Sequence, residues 1–388
     1  VTNNSIILTE IADVFNGKTP SKMEQRESGH PVLKIKDISA DGVFSGNFTS
    51  FVDKEFFDKY SLKTIEANDT LILNAAHNAN YVGSKQYKAT EEVTGSIATG
   101  EWLIVRAKKG KVSPDYLHFF FRANKTIHAI KGLVKGIHLY PKDVCRLKIP
   151  FHSLPEQARI ASVLEETDMV RHTRKQSIKL LDDFLRSTFL EMFGDPELND
   201  RLWDAKMFSE LGNLDRGKSK HRPRNAPELL GGPYPLVQTG DVANSNGYIK
   251  SYNQTYSEIG LKQSKLWPVG TLCITIAANI AKTGILTFEA CFPDSVVGFS
   301  PSSSVRTEYI QMWLSFLQKS IEDKAPESAQ KNINLKILRE LRVPTPPIDL
   351  QNKFAAIVGQ VESTKQKMKE SLEQMNNCFN ALMQRYFG

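Results

Sequence analysis

At 388 residues, with 40% hydrophobic and 24% charged residues, the chain has an ordinary globular composition and room for two or three cores. Lys and Arg exceed Asp and Glu by seven (50 − 43) and the pI is about 9.0, which favours an anionic partner, nucleic acid above all. No apolar run approaches the roughly 18 residues of a membrane span, the N-terminus is too polar for a signal peptide, and Cys145, Cys273, Cys291 and Cys378 form no Cys-x-x-Cys pair, so a reducing, cytoplasmic setting is expected.

In chain order, residues 1–150 hold short β-rich runs at Val32–Ile35, Leu71–Leu73 and Trp102–Val105, set between Gly- and Asn-rich turns, then a helical stretch over Tyr116–Ala129. Ile149-Pro150 closes this segment. Ser153 and Glu156 have capping-box spacing and Pro155 suits a first helical turn, which predicts a long helix within residues 151–194, stopped by Gly194-Asp195-Pro196. Residues 195–344 restate the first segment, with strands at Leu272–Ile276 and Ser295–Phe299 and a helix over Thr307–Glu322. Pro344, Pro346 and Pro347 lead into a second long helix within 345–388, with Asp349 as a candidate cap. Each long helix should span about 55–60 Å.

The chain is written twice. Ile149-Pro150 matches Val343-Pro344, Gln157 matches Gln351, Ala161 matches Ala355, and Phe193-Gly194 matches Phe387-Gly388, all at one offset (388 − 194 = 194). Solenoid repeats are far shorter, so this is a duplicated domain-plus-helix unit. In the second helix Val358, Val361, Lys365, Met368, Leu372, Met375, Phe379, Leu382 and Tyr386 form a heptad seam broken only by Lys365. The first helix repeats it as Leu164, Thr167, Arg171, Arg174, Ile178, Leu181, Leu185, Thr188 and Met192, with a polar middle. A helix with one apolar seam cannot bury it alone. The reading is α+β: two similar mixed α/β domains separated by two long helices that pair as an antiparallel coiled coil, with pseudo-two-fold internal symmetry.

The domains repeat more loosely. Gly17-Lys18 matches Gly217-Lys218, and Thr70-Leu71, Ala76, Asn78 and Gly83 match Thr271-Leu272, Ala277, Asn279 and Gly284 at an offset of 201 (271 − 70). Gly212 to Ser219 fits G-x-x-x-x-G-K-[ST], the phosphate-binding P-loop. Its context is wrong, because Lys220-His221-Arg222-Pro223-Arg224 is a poor helix start. No serine-hydrolase, zinc-protease or kinase motif appears, no dinucleotide or S-adenosylmethionine glycine loop, and no metal-ligand spacing. Recognition chemistry remains. Asn74, His77, Asn78, Asn80, Tyr81 and Lys85 crowd one loop, and Thr275, Asn279, Lys282 and Thr283 stand in its counterpart. Asn can bond adenine bidentately, and Lys and Arg suit guanine and phosphate. Lys218, Lys220, Arg222 and Arg224 form a basic run suited to phosphate; Lys18 and Thr19 occupy the corresponding loop of the first copy.

On these features the chain resembles, over essentially its whole length, the specificity subunits of type I restriction–modification enzymes. The resemblance rests on Ile149-Pro150 followed by Pro155-Glu156-Gln157-Ala158-Arg159-Ile160, on Gly17-Lys18-Thr19-Pro20, and on Gly270-Thr271-Leu272 through Gly284, set in order beside the half-length repeat. The second copy departs at Asp349-Leu350-Gln351, which lacks the Pro-Glu, and at Gly217-Lys218-Ser219-Lys220, which lacks the Pro.

The resemblance implies a non-catalytic subunit with two target-recognition domains, residues 1–150 and 195–344. Each would read one half of a split, asymmetric site in double-stranded DNA, and the helices would set the spacer. It implies two methyltransferase (modification) subunits and two motor-nuclease (restriction) subunits as partners. No cofactor is expected in this chain; S-adenosylmethionine, ATP and Mg would belong to the partners. The alternatives are a specificity subunit of a restriction enzyme outside type I and, from a different class, a stand-alone P-loop ATPase.

Overall fold

The computed structural model describes residues 5–39, 41–277, 280–323 and 333–388. Its contacts divide the chain into two units, Val1–Lys175 with Glu370–Gly388, and Gln176–Lys369. Each unit holds one α/β domain and one part of each long helix.

In the first unit an antiparallel four-stranded sheet runs in the order Ala12–Asn16, Trp102–Ala107, Thr70–Leu73, Gln86–Lys88. A second four-stranded sheet joins Gln25–Arg26, Phe51–Val52, His30–Leu33 and Ile97–Ala98. Ser5–Ile7 pairs with Lys148–Pro150, so the two ends of the domain are hydrogen-bonded to each other. The helical stretch expected over 116–129 is two helices, Pro114–Arg122 and Asn124–Leu133, because Ala123 is extended. The second unit repeats this plan. Its five-stranded sheet runs Gly212–Arg216, Val296–Pro301, Leu272–Thr275, Thr283–Leu286, Gly247–Ile249, and Ala205–Met207 pairs with Arg342–Pro344.

Strand register corrects one sequence match. Thr70 lies opposite Val105, and Leu272 lies opposite Phe299. The strands holding Val105 and Phe299 match at 194 (299 − 105), as do the acceptors Trp102 and Val296 of the Gly17 and Gly217 N–H groups, so Thr70 corresponds to Leu272, a shift of 202 (272 − 70) rather than 201. A slip of one residue exchanges the two faces of a strand, and burial follows the corrected register. Ile72 and Ile274 enter the cores that hold the helix seams, while Leu71 and Cys273 face the other way. Asn74 then corresponds to Ile276, and Gly83 to Ala281. Gly83 and Ala281 share a left-handed backbone (φ +76° and +57°) and donate to the carbonyls of Leu73 and Thr275.

The long helices are Leu154–Phe193 and Ile348–Phe387, 40 residues each. One arm of the expected capping box forms. The Glu156 N–H reaches Ser153 Oγ at 3.4 Å, but the Glu156 carboxylate turns to Arg159 at 2.6 and 2.8 Å. Asp349 lies inside the first turn of its helix rather than ahead of it, where its charge still suits the positive end of the dipole.

The seam is buried as the heptads predict. In the first unit Leu164 and Phe379 are buried and Leu372, Met375 and Leu382 half-buried; in the second, Leu185, Val358 and Val361 are buried and Ile178, Leu181 and Met368 half-buried. Within each unit the helix segments run antiparallel. Arg159 lies beside Tyr386 while Arg171 bonds Asn376 at 2.8 Å, and Asp182 bonds Lys365 at 2.7 Å while Phe189 packs on Phe354. The seam does not form a separate rod. It continues into the domain core: Ile160, Leu164, Phe379, Met383 and Phe387 join Tyr116 and Phe120, and Phe189, Phe193, Phe354 and Val358 join Tyr309 and Trp313.

Candidate nucleic-acid interface

In the first unit four loops meet at one end of the sheet that begins with Ala12–Asn16. Gly17 leaves that strand so close to the next turn that a Cβ would lie 2.2 Å from the Ala98 carbonyl oxygen. The Gly17 and Lys18 N–H groups donate to the carbonyls of Trp102 and Ala98 at 3.0 and 2.7 Å. Thr19 Oγ1 accepts from the Gly100 N–H at 2.8 Å and lies 3.2 Å from the Glu101 carboxylate. Asn74 donates its amide to Asn16 Oδ1 and to the Gly100 carbonyl, at 3.0 and 3.1 Å, and accepts from the Leu139 N–H at 2.7 Å. Those bonds gather residues 16–21, 74–85, 98–101 and 135–140.

His77, Asn78, Asn80 and Tyr81 stand exposed on this platform, Tyr81 at 62%. Asn78 Oδ1 accepts the Asn80 N–H at 2.9 Å and winds the short turn Ala79–Tyr81. Lys18 is half-exposed over the Tyr60 ring. Ile137, His138 and Tyr140 are exposed beside them. Sequence reading missed these three because they arrive from some 60 residues along the chain; the exposed-type residues around Gly136 were the available signal.

Two predicted contact residues are instead built into the fold. Asn74 is 3% exposed, sits where the second copy has Ile276, and spends its amide on the bonds above. Lys85 donates to the Ile35 carbonyl at 2.8 Å and to the Ile38 carbonyl, and burial holds its ammonium below the usual lysine range.

The second unit builds the same cluster with different side chains. A Cβ on Gly217 would lie 2.3 Å from the Phe292 carbonyl oxygen, and the Gly217 N–H donates to Val296 at 2.8 Å. Gly212–Arg216 is a strand, but no helix opens at Gly217-Lys218-Ser219; the next element is the single turn Pro227–Leu229. A P-loop needs a helix N-terminus there, so the motif match has no structural counterpart. The basic loop is pinned by its backbone. The Lys220 and His221 N–H groups donate to Gln263 Oε1 at 2.6 and 3.1 Å, and Ser264 donates to the Lys218 carbonyl at 2.8 Å.

Lys218, Lys220, Arg222 and Arg224 are all exposed. Arg224 lies 2.6 Å and Arg222 3.8 Å from the Asp294 carboxylate. The Ile276 N–H donates to Ser295 at 3.0 Å, so the loop that begins there shares the turn containing Asp294. Lys282 is exposed and donates to Gln318 at 3.2 Å; Thr283 is half-buried in its strand. Asn279 lies outside the described residues.

Both clusters are tied to the helices by repeated bonds. Tyr116 donates to the Pro150 carbonyl at 2.9 Å and Tyr309 to the Pro344 carbonyl at 2.8 Å. Gln157 Oε1 accepts from the Ser113 N–H and Gln351 Oε1 from the Arg306 N–H, at 2.8 and 2.9 Å. Each glutamine amide donates back to a carbonyl just ahead of its own helix, His152 and Pro346 respectively. A cavity of about 710 Å³ lies beside Asp168, His172 and Lys175 in the first unit. One of about 310 Å³ lies beside Glu362, Gln366 and Lys369 in the second. These helix residues are repeat partners at the offset of 194 (362 − 168). Among the described residues no group of three or more His, Cys, Asp or Glu is placed to hold a metal ion, and no helix is long and apolar enough to cross a membrane.

Each unit thus carries an α/β domain with a polar loop cluster at one sheet end, closed by antiparallel segments of the two long helices. The model of the type I restriction modification DNA specificity domain matches residues 2–180 and again residues 201–376, and the chain belongs to this family. A Methanocaldococcus jannaschii protein named for the MjaX type I restriction enzyme as its specificity subunit is 22% identical over 395 residues, covering 94% of this chain and 89% of that relative. The EcoBI specificity subunit of Escherichia coli is 20% identical over 419 residues, covering 98% and 85%. Among solved structures, the type I restriction–modification S subunit from M. genitalium covers 99% of this chain and 96% of its own, with a TM-score of 0.62 at 15% identity. A chain from a study of type I complex assembly and conformational transition covers 99% and 97%, with a TM-score of 0.56 at 16% identity.

Proposed function

We propose that each α/β domain reads one half of a bipartite, asymmetric DNA target. The observation that carries this reading is the loop cluster built twice on one backbone plan but faced with unlike side chains. His77, Asn78, Asn80 and Tyr81 stand in the stretch from Asn74 to Gly83, whose counterpart from Ile276 to Ala281 is four residues shorter, while Lys218-Ser219-Lys220 and the arginines after it stand where the first copy has Lys18-Thr19-Pro20. Equal scaffolds with unequal tips suit two different half-sites. The exposed Asn and Tyr groups suit base edges, and the basic run suits phosphates.

We further propose that the chain performs no chemistry of its own and docks modification subunits, and through them motor-nuclease subunits. Those partners would supply S-adenosylmethionine, ATP and Mg. The cavities beside Asp168–Lys175 and Glu362–Lys369 support two equivalent partner sites, since they lie against the same face of the repeated helix.

The test is a domain exchange. Residues 1–150 are replaced by the corresponding domain of another family member. The full complex is then assayed for the adenines it methylates. One half-site should change and the other stay. A change in both half-sites, or in neither, would overturn the two-reader model.

A further inference from the structure

We propose that Asp294 is a specificity-determining counter-charge. It holds Arg224, with Arg222 beside it, away from DNA phosphates until the second domain is seated on its half-site. This rests on the reading of the loop 218–224 as a phosphate-binding segment.

Four cations line this loop, yet they are not in equal states. Among the described residues Lys218 and Lys220 make no ion pair, whereas Arg224 lies 2.6 Å from the Asp294 carboxylate and Arg222 3.8 Å from it, the latter also donating to the carbonyls of Ser219 and His221 at 2.7 and 2.8 Å. Asp294 also accepts from Arg216 through its backbone carbonyl at 3.0 Å, so the turn that carries it is itself held in place. The arginine heads are 57% and 45% exposed and the carboxylate 36%, so the pairs are solvated. Solvated pairs are weak and exchange readily. A phosphate could therefore take either arginine, but its charge would first meet Asp294. Random DNA offers phosphates and nothing more. The correct half-site adds base contacts that draw the domain in and make the exchange favourable.

The first domain also carries a carboxylate in the equivalent turn, set against a hydroxyl rather than a cation. Trp102 and Val296 are equivalent as acceptors from Gly17 and Gly217, which puts Glu101 one place after the counterpart of Asp294. Glu101 lies 3.2 Å from Thr19 in the matching loop. A carboxylate thus sits inside both clusters, where a surface built for maximal affinity to phosphate would have none.

The experiment measures binding of the full-length chain to a random-sequence DNA duplex pool across a salt series. It compares wild type, Asp294→Asn, Asp294→Glu, and Arg222→Gln with Arg224→Gln. Each phosphate contact contributes about 0.9 to the slope of log K against log salt. Asp294→Asn should steepen the slope on random DNA by about 0.9 and bind it more tightly, as the released Arg224 reaches a phosphate. Asp294→Glu should stay near wild type, which separates loss of charge from damage to the turn. Selection from a randomised pool should recover a weaker consensus for Asp294→Asn than for wild type. If the arginine variant flattens the slope at a bound target but Asp294→Asn equals wild type on random DNA, the counter-charge is refuted and the phosphate-binding loop stands. If the arginine variant changes no slope on any DNA, the loop lies away from DNA and both ideas fall.

Discussion

The ring of Phe387 lies 5.0 Å from the ring of Tyr116, and both residues are buried. The end of the second long helix therefore plugs the core of the first domain. The repeat makes the same contact at its other copy, with Phe193 4.9 Å from Tyr309. Phe387→Ala should open a cavity and cost about 3–5 kcal/mol, toward the lower end because a helix terminus can adjust. Urea unfolding monitored in the first domain measures it. A loss below about 1 kcal/mol would show that this ring is not part of the core.

Lys365 is 3% exposed and bonds Asp182 at 2.7 Å and Glu362 at 2.9 Å. Burial alone would lower its pKa, but the two carboxylates more than offset that and raise it. A buried charge is costly when its partners are removed and cheap to replace with an apolar side chain. Asp182→Leu combined with Glu362→Leu should therefore destabilise the second unit by several kcal/mol, on the order of 3–5. Lys365→Met should cost much less, or stabilise. Equal losses in the two variants would argue against an electrostatic role for the seam's break.

His118 is 9% exposed, and its Nδ1 has no partner among the described residues. Burial, helped by the nearby Arg122 and Lys88 charges, pushes its pKa down to about 3. Its folded pKa is below the usual value of about 6.5, so the unfolded chain binds the proton first as pH falls. Stability should then be lost as pH drops below about 6.5, by up to roughly 1.4 kcal/mol per pH unit, with the loss levelling off near the folded value. The counterpart one repeat along is Gln311. His118→Gln should remove this contribution, and urea midpoints between pH 4 and 7 will show whether the slope falls relative to wild type.

Phosphate and base contacts predict different signatures. Lys218→Gln with Lys220→Gln should weaken binding to all duplexes and flatten the salt slope by about 1.8. Asn78→Ala or Tyr81→Ala should leave the slope nearly unchanged and alter the sequence selected in the other half-site. A slope change from the Asn78 variant, or altered sequence preference from the lysine variant, would reverse those assignments.

The helices were legible in the sequence because their seam has a fixed period and their core contacts repeat at one offset. Gln157, Ala161 and Phe193 matched across the repeat, and each proves to be buried. The domain strands were harder to align. Thr70-Leu71 matches Thr271-Leu272 letter for letter, yet hydrogen bonding moves the true partner by one residue. Short apolar strands buried on both faces carry no alternation to fix their register. Individual contact residues were the least legible. Asn74 and Lys85 have side chains suited to DNA, and only the neighbours at Asn16, Gly100 and Ile35 reveal that they are spent inside.

The bonds made by Gln157 and Gln351 end on main-chain atoms: the N–H of Ser113 in one copy and of Arg306 in the other. The two tyrosines likewise donate to proline carbonyls rather than to side chains. Ser113 and Arg306 are chemically unlike, yet the bond lengths agree within 0.1 Å. These glutamine bonds ask of the domain only a backbone in the right place; its side chains enter the joint through Tyr116, Phe120, Tyr309 and Trp313, which share a core with the helices. On the two-reader proposal, a domain brought in by exchange can carry unfamiliar loops as long as it keeps that backbone, the tyrosine and the apolar residues that meet the helices.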